Sequence, residues 1–204
     1  MAKVALNKSS LNKQKRSLKT FNRYLPALEL KRRQLMAERK KAEEALAETS
    51  NHLADVERLV KEQLPMLAYD DVSVDSLVNV TNVKLTSENI VGTSVPRVDN
   101  IDISFTPYSD LTKPHWVDYL VELLQQMVRL RIELQVRKLR HKELDKATRT
   151  TSQRVNLFSK VLIPQTKKSI QKIQIYMSDQ DRASVLNAKL SKGKVMAQEA
   201  KGGQ

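Results

Sequence analysis

The chain has 204 residues, 29% of them charged and only 4% aromatic, with four glycines, six prolines and no cysteine. Without cysteine there is no disulfide framework, thiolate nucleophile or cysteine zinc site, and His52, His115 and His141 lack metal-ligand spacing. Lys and Arg outnumber Asp and Glu by 36 to 23, a net charge of +13 that suits nucleic acid, an anionic membrane or an acidic protein surface as partner.

So few glycines and aromatics are poor material for a compact α/β enzyme and suit long helices better. No stretch approaches the roughly 18 consecutive apolar residues of a membrane span, and the basic N-terminus lacks the apolar core of a signal peptide. A soluble, cytoplasmic chain without a membrane span is expected. The charge is unevenly distributed: residues 1–41 hold 13 basic and 2 acidic side chains, residues 42–126 hold 5 and 15, residues 127–172 hold 13 and 3, and residues 173–204 hold 5 and 3. If the chain folds back on itself, the two basic segments meet at one end and an acidic body lies at the other.

Residues 1–64 carry a heptad stripe, with Leu11, Leu18, Leu25, Leu46, Leu53 and Val60 in one register and Phe21, Leu28, Leu35, Ala42 and Val56 in the other. The first register is interrupted by Arg32 and Arg39. A helix of about 60 residues and about 90 Å is predicted. Pro26 removes one hydrogen bond and crowds the carbonyl four residues earlier, so a kink or short break is expected near Arg23 and Tyr24.

Residues 65–115 hold four of the six prolines and read as a small middle head. Two β-prone runs, Leu77 to Leu85 and Val98 to Phe105, flank a breaker-rich stretch around Gly92 and Pro96, which predicts a short hairpin. The acids Asp70 and Asp71 read as loop charges. From Trp116 the heptad returns through Leu120, Leu123, Met127, Leu130, Leu134, Arg137, His141, Leu144, Thr148, Thr151, Val155, Phe158 and Leu162. Over about 47 residues this predicts left-handed supercoiling against a partner helix over about 70 Å. Thr112 before Pro114 offers an N-cap-like start, and Pro164 predicts a kink or break within the helical segment 116–191. Residues 192–204, with three of the four glycines, read as a flexible tail.

The expected architecture is therefore mainly α: a long antiparallel two-helix coiled coil of the N- and C-terminal segments, with a small head containing a β-hairpin. Its predicted core is Leu11, Leu18, Leu28, Leu35, Leu46, Leu53, Val60, Leu120, Leu123, Met127, Leu130, Leu134, Leu144, Val155, Phe158 and Leu162. Antiparallel pairing sets Arg32 and Arg39 roughly opposite Thr148 and His141, in polar layers that cost stability and fix register.

Nothing in the chain assembles catalysis. There is no phosphate-binding glycine loop, and no nucleophile, base and orienting residue share a local signature, so neither enzyme activity nor a cofactor or metal is expected. The basic clusters Lys13, Lys15, Arg16 and Lys19, and Lys31, Arg32 and Arg33, admit nucleic-acid binding, but few aromatics lie nearby to stack bases. A coiled coil inside a negatively charged protein sleeve explains the same charges and their segregation.

Three separated segments resemble one family. Asn7 to Leu18 (NKSSLNKQKRSL), Gly92 to Asp99 (GTSVPRVD) and Arg154 to Pro164 (RVNLFSKVLIP), the last followed by Ile170, Ile173 and the DQDRA run of 179–183, are similar to motifs of the central-stalk D subunits of V/A-type rotary ATPases. Pro26 in YLPALELK and the polar β-prone middle depart from the family pattern. The resemblance implies a non-catalytic rotor shaft, peripheral to the membrane, whose termini enter the hexamer of catalytic A and B subunits. Its middle domain meets the F subunit of the stalk and the C/d-type subunit that seats the stalk on the membrane ring. On this analogy Lys8, Lys15, Arg16, Arg154 and Lys160 face the hexamer bore. The alternative is a free basic coiled coil that binds nucleic acid.

Overall fold

The computed structural model describes residues 5–68, 77–105 and 115–199. In order they form helix α1 (Lys8–Gln63), a 3-10 turn (Pro65–Ala68), strands β1 (Val78–Ile90) and β2 (Thr93–Phe105), helix α2 (Trp116–Asn156), a π-helical turn (Leu157–Leu162) and helix α3 (Ile163–Glu199). The fold is mainly helical, with long N- and C-terminal helical segments and one antiparallel hairpin between them. The start expected at Thr112 and the acids Asp70 and Asp71 lie outside the described residues.

Contacts divide the chain into two units, one of Met1–Leu30 with Ser152–Gln204 and one of Lys31–Thr151. In the second, α1 and α2 run antiparallel: Arg39 meets Asp145, Arg137 reaches the Ala45 carbonyl, Arg131 meets Glu57 and Tyr119 bonds Gln63. Where the chain turns round, Val56, Leu64, Leu77, Val117, Leu120, Val121 and Leu123 form one buried cluster. A second joins Leu35 and Ala42 of α1, Leu144 of α2, and Ile90 and Val95 of the hairpin.

The hairpin therefore starts beside Leu64 and ends beside Leu35. Thirteen residues of strand span about 43 Å at about 3.3 Å each, and the 29 steps from Leu35 to Leu64, just past the end of α1, span about 43 Å at a helical rise of about 1.5 Å each. Strand length thus matches the helix it covers. The strands are longer than the two expected runs, because the stretch around Gly92 and Pro96 is itself strand apart from a two-residue turn. Val91 and Gly92 both have positive φ, 51° and 75°, as a tight hairpin turn requires, and the Asn89 side chain accepts from the Gly92 N–H at 2.8 Å. Pro96 is tolerated because a two-stranded sheet has a free edge on each strand. Register shifts at Val80/Asn82 and Lys84/Leu85 leave Thr81 of β1 and Asp99 of β2 as extra residues, and Val95 and Ile101 are buried while Phe105 is exposed.

Of the kink or short break expected near Arg23 and Tyr24, no break occurs: α1 is continuous through Pro26. Proline forfeits one ladder bond, to the Asn22 carbonyl, while Phe21, Leu25 and Leu28 around it stay half-buried on the packed stripe and hold the helix. Pro164 does not end its helix either. The π turn lies immediately before it, and the Ile163 N–H donates to the Phe158 carbonyl five residues back. Widening the turn there accommodates a ring that would crowd the Lys160 carbonyl in an α-helix. Helix α3 also runs past Lys192, where a tail is expected, to Glu199, with Gly193 inside it. In the unit holding both chain ends, Phe21 of α1 and Phe158 of the π turn meet edge to face at 5.4 Å.

Candidate interaction surface

The α1 start is built from Asn7, whose side chain accepts from the Ser10 N–H at 2.7 Å and whose carbonyl accepts from the Leu11 N–H at 3.0 Å. No acidic residue stands in the first turn, and Lys8 is its first residue. A cation there opposes the positive end of the helix dipole, so the charge is carried despite a local cost. Lys8, Lys15, Arg16, Arg154 and Lys160 are all exposed and all belong to the unit containing both ends of the chain.

That unit carries the whole net charge. Residues 1–30 and 152–204 hold 17 basic and 4 acidic side chains, whereas residues 31–151 hold 19 of each. Among the described residues every ion pair lies in the neutral unit, including Arg39–Asp145 at 3.1 Å, Arg140–Glu88 at 2.9 Å and Arg149–Asp145 at 2.8 Å. The acidic body expected from the sequence is thus corrected. The basic runs of 31–41 and 129–149 fold against the acidic middle and neutralise it, leaving the excess cations on the other unit.

The polar heptad positions find partners close to the expected layers. Arg39 meets Asp145, one helical turn beyond His141, and Arg137 donates to the Ala45 carbonyl at 2.7 Å. The Nε atoms of Arg32 and Arg39 are buried with no hydrogen-bond partner among the described residues. Thr49, Thr148, Thr151 and Thr166 are buried, each donating its hydroxyl to the carbonyl four residues earlier. Thr49 escapes a search for apolar periodicity, although it falls seven residues from both Ala42 and Val56.

The stripe residues Leu35, Leu120, Leu123, Leu144 and Val155 are buried. Leu11, Leu18, Leu28, Leu46, Leu53, Val60, Met127, Leu130, Leu134, Phe158 and Leu162 are half-buried. Val117, Val136 and Ile173 are buried too; the first two lie off the strict heptad, where the hairpin and the turn-round cluster add a second packed face. His141 is half-buried, whereas His52 and His115 are exposed. Among the described residues no His, Asp or Glu set is grouped to hold a metal ion, and no helix is long and apolar enough to cross a membrane.

From Ser178 to Met196 α3 is exposed throughout, and its large apolar side chains Val185, Leu186, Leu190, Val195 and Met196 stand among Lys189, Lys192 and Lys194. Clustered apolar residues on an otherwise cationic helix are the mark of a surface that meets another molecule.

The family model for the D subunit of ATP synthase matches residues 10–193. The D subunit of the V-type ATP synthase of Borreliella burgdorferi is 35% identical over 196 residues, covering 96% of each chain. That of Chlamydia pneumoniae is 32% identical over 201 residues, covering 98% of this chain and 96% of its own. That of Chlamydia muridarum is 31% identical over 197 residues.

Proposed function

Because the chain belongs to the family of ATP synthase D subunits, we propose that it is the central-stalk rotor shaft of a V/A-type ATPase, carrying torque between the catalytic A and B subunits and the membrane ring. It does no chemistry itself. The F subunit of the stalk and the C/d-type seating subunit are its other partners, and it lies peripheral to the membrane, on the cytoplasmic side. The observation that carries this reading beyond family membership is the charge partition. The unit holding both chain ends has all of the +13 and no ion pair among the described residues, so its cations are left for an external anionic surface. The exposed apolar residues of α3 give the same unit a greasy contact inside such a sleeve.

The paired helices supply the mechanical part. Antiparallel packing with Leu35 and Leu144 fully buried, tied by Arg39–Asp145 and Arg137–Ala45, resists relative twist of α1 and α2. The hairpin covers one side of that pair within the Lys31–Thr151 unit, the part this reading assigns to the F and seating subunits. Lys8, Lys15, Arg16, Arg154 and Lys160 are assigned to the sleeve.

The test is co-expression with the A, B and F subunits from the same source, followed by ATP-driven rotation of a bead fixed to the hairpin. Three steps per turn establish the shaft. A chain that elutes alone and shifts RNA or DNA in a salt-dependent way is instead a nucleic-acid binder.

A further inference from the structure

Within the Lys31–Thr151 unit a cleft of about 610 Å³ opens between α1, α2 and β2, in the size range of small-molecule sites. The sequence makes room for it twice. Ala42 and Ala45 place only methyl groups on the α1 wall, and the register shift at Lys84/Leu85 leaves Asp99 as an extra residue on β2. Val136 and Ile101 complete an apolar floor, both of them buried.

The rim is net cationic, with Lys41, Arg97, Arg129, Arg137 and Arg140 against Glu38, Asp99 and Glu133. Lys41 is held by Glu38 at 2.8 Å, whose hydrogen bond and charge raise the ammonium pKa above its usual value. Arg140 is held by Glu88. Arg137 is anchored to the Ala45 carbonyl at 2.7 Å, with Glu133 more distant at 3.7 Å, which fixes its guanidinium at the cleft wall. Arg97 on β2 and Arg129 on α2 form no ion pair among the described residues, and both are exposed. One exposed acid of the lining, Asp99, is likewise without an ion pair among those residues.

We propose that this cleft binds a nucleoside di- or triphosphate. The phosphates lie on Arg97, Arg129 and the anchored Arg137, whose planar forks suit bidentate phosphate contacts. The base rests on the floor of Ala42, Ala45, Val136 and Ile101, where an apolar ring displaces water. Asp99 accepts from a ribose hydroxyl or an exocyclic amine, the role open to the one lining carboxylate that forms no ion pair among the described residues, since Glu38 pairs with Lys41 and Glu133 with Arg137. The site needs both halves of the ligand, which separates it from simple attraction of anions to a basic protein. It stands independently of the rotor assignment, since it requires only this unit.

Isothermal titration of the full chain with ATP, ADP, adenosine and tripolyphosphate at about 0.15 M salt tests the proposal. ATP and ADP are expected to bind saturably at one per chain, with adenosine and tripolyphosphate each at least tenfold weaker. Arg97→Gln and Arg129→Gln sit on the surface, leave folding intact and each weaken ATP by about tenfold, the loss of one charge-assisted contact. Ala45→Leu, with its melting temperature checked against the parent, blocks the floor without changing charge and abolishes binding. The proposal is overturned if ATP and tripolyphosphate bind equally, if no heat is seen, or if binding survives the arginine variants. It is also overturned if binding is lost on changing Lys13, Lys15, Arg16 and Lys19 to Gln, which assigns it to the cationic unit.

Discussion

Asp145 accepts from two arginines, Arg39 of α1 at 3.1 Å and Arg149 of its own helix at 2.8 Å. The two ends of the Arg39–Asp145 pair are therefore unequal. Arg39→Leu leaves Asp145 with Arg149 and places an apolar side chain on a heptad stripe, so thermal denaturation is expected to show a change within about 0.5 kcal/mol. Asp145→Ala strands the Arg39 guanidinium, whose Nε is already buried without a partner among the described residues, and is expected to cost about 1–2 kcal/mol. Equal effects of the two substitutions would contradict this account. Leu144 is fully buried between Leu35, Ala42, Ile90 and Val95. Leu144→Ala is expected to lower stability by about 2–5 kcal/mol in urea unfolding, while Leu139→Ala, at a 47% exposed position on the same helix, changes it by less than about 1 kcal/mol. At this scale the sequence marks Leu144 and Arg39 as stripe positions. It cannot mark Asp145, one residue off the stripe, because its importance comes from a residue 106 positions away.

Two weak points in the helical ladders lie in the unit that holds both chain ends. Pro26 removes the bond from residue 26 to the Asn22 carbonyl in α1, and the π turn of Leu157–Leu162 with Pro164 distorts the opposite helix, where Phe158 contacts Phe21. Pro26→Ala restores one hydrogen bond and is expected to raise the melting temperature and slow amide hydrogen exchange across residues 23–28 toward the rates of the Leu46 region. Unchanged exchange in that stretch would show that packing alone sets the local stability. Both prolines are legible in the sequence as helix disturbances. Their consequences are not, because a partner helix supplies the burial that keeps α1 unbroken, and a shift to i→i+5 bonding absorbs Pro164. The hairpin teaches the same lesson. Gly92 makes the turn as its breaker character predicts, whereas Pro96 lies inside β2, where no partner strand needs its N–H.

For the chain as a whole, electrostatics is sorted by unit, with +13 on the unit of both termini and zero on the other. If those cations meet an anionic sleeve, raising salt from about 0.05 to 0.5 M is expected to weaken association with the catalytic subunits, measured by interferometry on immobilised chain. Changing Lys8, Lys15, Arg16, Arg154 and Lys160 to Gln is expected to flatten that salt dependence and to reduce the on-rate more than it raises the off-rate. A variant of equal charge change in the neutral unit, taken at exposed Lys138, Lys142 and Lys146 among others, is the control. Helix periodicity, total charge, the hairpin's existence and the family motifs are local in sequence, since a 3.6- or 2-residue repeat and a short motif need no distant partner, and these the chain determined by itself. Which cations are neutralised, how far the strands extend, where Arg39 finds its carboxylate and that a cleft opens over Ala42 and Ala45 were decided only in the tertiary structure, because each depends on residues far apart in sequence being brought within a few ångströms by packing.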